Sequence, residues 1–175
     1  MDMNDILKLM MSRGAAEQVS QQAGIPVDDA LAVMGDVLPM LLKGMQGQAT
    51  NQSTQQGFLQ ALSDHSKQDT SDLSKFFKNV DTDDGAKIVN HLLGQEKEAV
   101  AAKAKKKSGI DTKTVLKIMA ILAPLLMTKM GSAAKESEKT VKGNIGAADV
   151  MELVGGLSDG VDMKDVMKLA KMFMK

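Results

Sequence analysis

Apolar residues recur at three- and four-residue steps along most of this chain, with polar residues between them, which is the period of helices half-buried against one another. The longest apolar stretch runs from Ile118 to Met127, IMAILAPLLM, inside the segment 109–130. It is ten residues long, about half of the roughly 20 that a bilayer demands, and Lys117 and Lys129 flank it. The pattern therefore predicts a buried core helix and no transmembrane segment. Because IMAILAPLLM has no polar face, that helix needs cover on every side, from its own chain or from a second copy.

An earlier segment echoes this one. Residues 24–45 and 109–130, offset by 85, share Gly24/Gly109, Ile25/Ile110, Leu31/Leu116, Met34/Met119, Pro39/Pro124, Leu41/Leu126 and Met45/Met130 without a gap. The repeat predicts two related helical halves. A proline inside a helix removes a backbone hydrogen bond and costs about 3 kcal/mol, so both copies are expected to kink or break there.

Around these copies, Ile6, Leu9 and Met10 mark a first helix capped by Asn4 or Asp5 and ending near Gly14, and residues 15–23 form a second, stopped by Gly24. Residues 46–57, QGQATNQSTQQG, are polar and of low complexity, and are expected to be an exposed loop. Short helices follow, with Phe58, Leu59 and Leu62, then Leu73, Phe76 and Phe77, facing inward.

Asp81, Asp83 and Asp84 open a helix that carries Ile88, Val89, Leu92 and Leu93, their carboxylates facing the positive end of its dipole. A calcium-loop reading of the same residues fails on spacing, because one, three and five residues before Gly85 stand Asp84, Thr82 and Val80. Residues 95–107 are alanine- and lysine-rich and predict another helix. Beyond 131, Ile145, Val150, Leu153 and Val154 predict a helix ending at Gly155-Gly156, and Gly160, Asp162, Lys164, Val166 and Lys168 repeat the opening of the second copy. The expected fold is all-α: a multi-helical domain over 1–131, built from two related helical halves with kinked central helices, and a C-terminal helical tail over 132–175.

Composition narrows the chemistry. The 175 residues suffice for one well-buried core, and with fifteen Met, four Phe, no Trp and no Tyr that core must be aliphatic and methionine-filled. The lack of cysteine excludes disulfides, thiol catalysis and thiolate metal sites. With no export signal in residues 1–13, a cytoplasmic location is expected. Net charge is zero, yet residues 1–84 carry six basic and twelve acidic side chains and residues 85–175 sixteen and ten. The −6 and +6 halves imply mutual attraction within or between chains, or a basic ligand surface in the second half.

Enzyme chemistry finds little to stand on. The only histidines, His65 and His91, fall in different predicted helices with no metal-pair spacing, and the chain has no nucleophile elbow, phosphate loop or dinucleotide fingerprint. No catalytic, cofactor-binding or metal residue is assigned, and no cofactor is expected.

Nucleic acid is a rival reading. Residues 19–33 have helix-turn-helix spacing, but Asp28 and Asp29 at the head of the second helix repel phosphates. Residues 103–118 repeat that spacing with Lys105, Lys106, Lys107 and Lys113 attached, against a single arginine, Arg13, and no stacking aromatic. Near the C-terminus, Met163, Met167 and Phe173 define the apolar face of a lysine-bearing amphipathic helix of the kind that docks on partners.

Ile88 to Gly94, IVNHLLG, is followed by an alanine-rich helix, Ser108-Gly109-Ile110 and Ala123-Pro124-Leu125-Leu126; Gly24-Ile25 and Leu38-Pro39-Met40-Leu41 stand in the first half. In these motifs residues 6–131 resemble the bacterial YidB-like family, domain of unknown function 937. The resemblance implies an all-α fold and carries over no activity, substrate or catalytic residue. The functional expectation is a non-enzymatic protein-interaction or self-assembly module whose partner is itself or another protein. Ile118, Ile121, Leu122, Leu126, Met163, Met167 and Phe173 are its candidate contacts, and DNA binding at 103–118 or an enzyme of unrecognised type are the alternatives.

Overall fold

The computed structural model describes residues 1–136, 145–159 and the single residue 168. Among them the chain is all-α, with helices α1 (Met3–Met10), α2 (Arg13–Ala23), α3 (Val27–Thr50), α4 (Gln55–His65), α5 (Leu73–Lys78), α6 (Thr82–Leu93), α7 (Glu96–Ser108), α8 (Thr112–Glu136) and α9 (Ala147–Asp159).

Local chemistry sets most of the boundaries. Asp2 and Asp5 form a reciprocal capping box on α1, and the Ser12 hydroxyl accepts from Ala15 N to open α2. The first helix thus ends at Met10, and Gly14 lies inside α2 rather than after α1. Gly24 and Gly109 adopt left-handed φ of 70° and 76°, where a side chain is strained, and end α2 and α7. Each leads through an isoleucine into a long helix with a proline at its thirteenth residue, Pro39 in the 24-residue α3 and Pro124 in the 25-residue α8. Residues 24–45 and 109–130 thus each run from a left-handed glycine into a long helix with an internal proline.

Neither proline breaks its helix. Pro124 leaves the Ala120 carbonyl without its usual N–H partner, and α6 presses onto that carbonyl at Gly85, where a Cβ would lie 1.8 Å from Ala120 O. Two further glycines make close crossings, though neither as tight. A Cβ at Gly44 would meet Leu92 O at 2.7 Å, and one at Gly131 would meet Leu62 O at 2.3 Å.

The glutamine-rich stretch corrects the expectation of a loop. Helix α3 continues to Thr50 and α4 starts at Gln55, so only residues 51–54 are non-helical. Glutamine is a sound helix former, Ala49 is fully buried, and side chains satisfy the carbonyls at the helix end. Gln55 Nε2 donates to Ala49 O at 2.6 Å, and Gln48 Nε2 donates to His91 O at 2.8 Å. Helix α9 likewise passes through Gly155 and Gly156 instead of ending there. The division expected at 131/132 falls inside α8, and α9 packs against α1, α3 and α8, burying Ile145 and Val150 in the common core.

Helix α8 is the axis of the fold. It packs against α1, α2, α3, α4, α6, α7 and α9, and Ile118, Ile121, Leu122, Leu125 and Leu126 have no exposed surface. By length and composition α8 is apolar enough to cross a bilayer, while 78% of its most apolar window is buried inside this chain. Among the described residues, Met1 is the large hydrophobic side chain left exposed.

Candidate functional site

Helices α4 and α6 lie on either side of a cleft of about 470 Å³. Its composition follows from helical period: α4 contributes Gly57, Phe58, Ala61 and His65 from one face, and α6 contributes Asp84, Lys87, Ile88, His91 and Leu92 at steps of three and four. Met127 of α8 forms part of the floor, and Gln48, Ser53 and Thr54 stand at one end. An apolar floor with a few convergent polar groups, at this volume, is the ordinary build of a ligand site.

The polar groups are held in definite states. His65 Nε2 lies 3.5 Å from Asp84 Oδ2, and the His65 side chain is only 13% exposed. Its Nδ1 is buried with no hydrogen-bond partner, so Nε2 is the ring nitrogen that faces a polar group, Asp84. His91 Nδ1 sits 2.8 Å from the Lys87 carbonyl oxygen, which can only accept, so the His91 proton is on Nδ1 and Nε2 is uncommitted. Lys87 is exposed and makes no ion pair among the described residues. The two hydroxyls in the cleft are turned elsewhere: Ser53 Oγ donates to Asn51 Oδ1 at 2.7 Å and Thr54 Oγ1 to Gln48 O at 3.3 Å. No nucleophile therefore faces an imidazole base.

Sequence spacing placed the two histidines apart, and tertiary packing brings them to one cavity. The α6 half of the site, Asp84, Lys87 and His91 at i, i+3 and i+7, is readable from the sequence as one helix face. The α4 half depends on two helices meeting across residues 66–81, which no local pattern encodes.

The other sequence-derived candidates fall elsewhere. Ile118, Ile121, Leu122 and Leu126 are completely buried within the single chain, so they offer no accessible contact surface. Met163, Met167 and Phe173 lie outside the described residues. Lys105, Lys106 and Lys113 are exposed, whereas Lys107 Nζ is 2.6 Å from Asp36 Oδ1, an ion pair joining the basic and acidic halves. At the head of α8 the Asp111 carboxylate accepts from Thr114 Oγ1 at 2.7 Å and Thr114 N at 3.0 Å. The Thr114 hydroxyl bond, with the backbone bonds behind it, holds the Asp111 carboxyl below the usual range. That contribution to stability is present above the ordinary carboxyl pKa and is lost as pH falls through the lowered folded value.

Asp81 caps α6 as expected, its Oδ1 accepting from Asp83 N at 2.9 Å and Asp84 N at 3.0 Å. Among the described residues no group of three or more His, Asp or Glu side chains is arranged to hold a metal ion. Asp81→Ala is expected to lower stability by about 1 kcal/mol in chemical denaturation. Calcium is expected to leave the midpoint of the parent protein where it was, since only a ligand that binds the folded state raises it.

A family model described as a bacterial protein of unknown function (DUF937) matches residues 5–133. The chain belongs to that family. The DUF937 match covers α2 to α7 entire, most of α1 and α8, and with them every residue of the cleft; α9 lies beyond it. No curated protein and no solved structure matches the chain.

Proposed function

We propose that this DUF937 protein is a non-enzymatic binding module that takes an apolar group of its ligand or partner into the cleft between α4 and α6. The observation that carries the reading is the joining there of an apolar floor, Phe58, Ile88, Leu92 and Met127, to a rim of His65, Asp84, Lys87 and His91. The committed hydroxyls of Ser53 and Thr54 favour binding over group transfer. This reading does not draw on Ile118 to Met127, which the same chain covers.

Methyl-labelled methionine makes the test direct, since Met127 lies in the floor. A fragment library titrated against the protein should give hits that move the Met127 methyl resonance and the backbone signals of α4 and α6 together. Hits scattered over the surface, or none, would count against the reading.

One observation favours the DNA reading as a second: Lys103, Lys105, Lys106, Lys113 and Lys117 are exposed and make no ion pair among the described residues. Against it, Asp111 stands at the tip of α8, and the rest of that helix is core. DNA binding requires a mobility shift of duplex DNA that weakens steeply with salt and disappears when Lys105 and Lys106 become glutamate.

A further inference from the structure

We infer that the ligand of the α4–α6 cleft is an apolar monocarboxylate, with its chain over Phe58, Ile88, Leu92 and Met127 and its carboxylate on Lys87. This rests on the binding-module reading and goes further by naming the chemical class.

The charges around the cavity decide it. Asp84 is the one acidic side chain in the lining, and it is already engaged: Oδ2 faces His65 Nε2 at 3.5 Å, and the residue sits in the first turn of α6, where the helix dipole stabilises a negative charge. Lys87, one turn further along α6, has no carboxylate partner among the described residues and is the uncommitted charge of the site. His91 follows at i+4 on the same face, its Nδ1 tied to the Lys87 carbonyl, so Lys87 is left as the group that can meet an anionic head group. A single lysine matches one negative charge as a point contact, and an apolar tail is what the floor beneath it adds. Beneath it the apolar floor excludes water from one side of the contact, which strengthens a charge-assisted bond relative to the open surface. Such a group comes from two sources, a free aliphatic acid or the C-terminus of a protein ending in an apolar residue, and the chemistry at Lys87 is the same for both.

Octanoate, octanol and octylamine, titrated into the full chain and followed on the Met127 methyl and by calorimetry, separate the possibilities. Octanoate is expected to bind at least about tenfold more tightly than octanol, with Lys87→Met removing that advantage so that the two then bind alike. Equal affinity for octanoate and octanol, or preference for octylamine, overturns the carboxylate assignment and leaves the binding-module reading standing. No response of Met127 to any of the three overturns both. A short peptide ending in leucine, compared with its C-terminal amide, then identifies the source: binding of the free acid alone, tighter than octanoate, assigns a protein C-terminus, and weaker binding than octanoate assigns a free aliphatic acid.

Discussion

Gly85→Ala is expected to destabilise this protein by about 3 kcal/mol or more, the upper range for forcing extra volume into a packed interior. The added methyl carbon would stand 1.8 Å from Ala120 O and 2.7 Å from Ala120 C, and both are backbone atoms of the central helix, so no side chain can swing aside. Helices α6 and α8 would have to separate. For a chain of this size that corresponds to a fall in Tm of roughly 6–12 °C, read by circular dichroism. The contrast is Gly47→Ala in α3, where nothing lies within 4 Å of the new carbon; removing a helical glycine there should stabilise by about 0.5–1 kcal/mol. If alanine were tolerated equally at both positions, the backbone contact between α6 and α8 would be wrong. That contact also fixes where Asp84 and Lys87 stand relative to α4, so a partly folded Gly85→Ala protein should lose the cleft before it loses its helices.

Leu122→Ala is expected to cost about 2–5 kcal/mol, the transfer of a buried leucine plus the cavity it leaves. Leu122 is fully buried at the centre of α8, between helices that cannot close in because glycine crossings already hold them at backbone contact. The informative part is the dependence on protein concentration. If one chain covers α8 by itself, parent and variant both unfold at midpoints that do not change over a hundredfold dilution series. A midpoint rising with concentration would mean that a second chain contributes to the cover, as in an obligate dimer.

Element starts and stops were largely legible in the sequence because they are written locally. Asp81 and Asp111 cap with their own carboxylates, and Gly24 and Gly109 stop their helices in the left-handed region, all within a few residues of the boundary they set. The central place of α8 was legible for another reason: a helix without a polar face has nowhere else to go. Over 46–57 composition alone treats glutamine as solvated, whereas Gln48 and Gln55 spend their amides on backbone carbonyls and α3 runs on to Thr50. A Gly155-Gly156 pair signals a stop in the sequence, yet α9 runs through both to Asp159. Gly44, Gly85 and Gly131 carried the opposite message, the points where helices touch, and nothing along the chain distinguishes a glycine needed for approach from one needed for a turn. The cleft was half readable, since one face of α6 can be drawn on a helical wheel but the helix opposite it cannot.

The helix at the middle of this structure is one of the last parts of the matched region to be made. While a ribosome is still producing residues 1–111, the apolar faces of α1 to α4, α6 and α7 that pack on α8 have nothing to pack on. Fragments ending before Thr112 should therefore be sticky and short-lived in the cell.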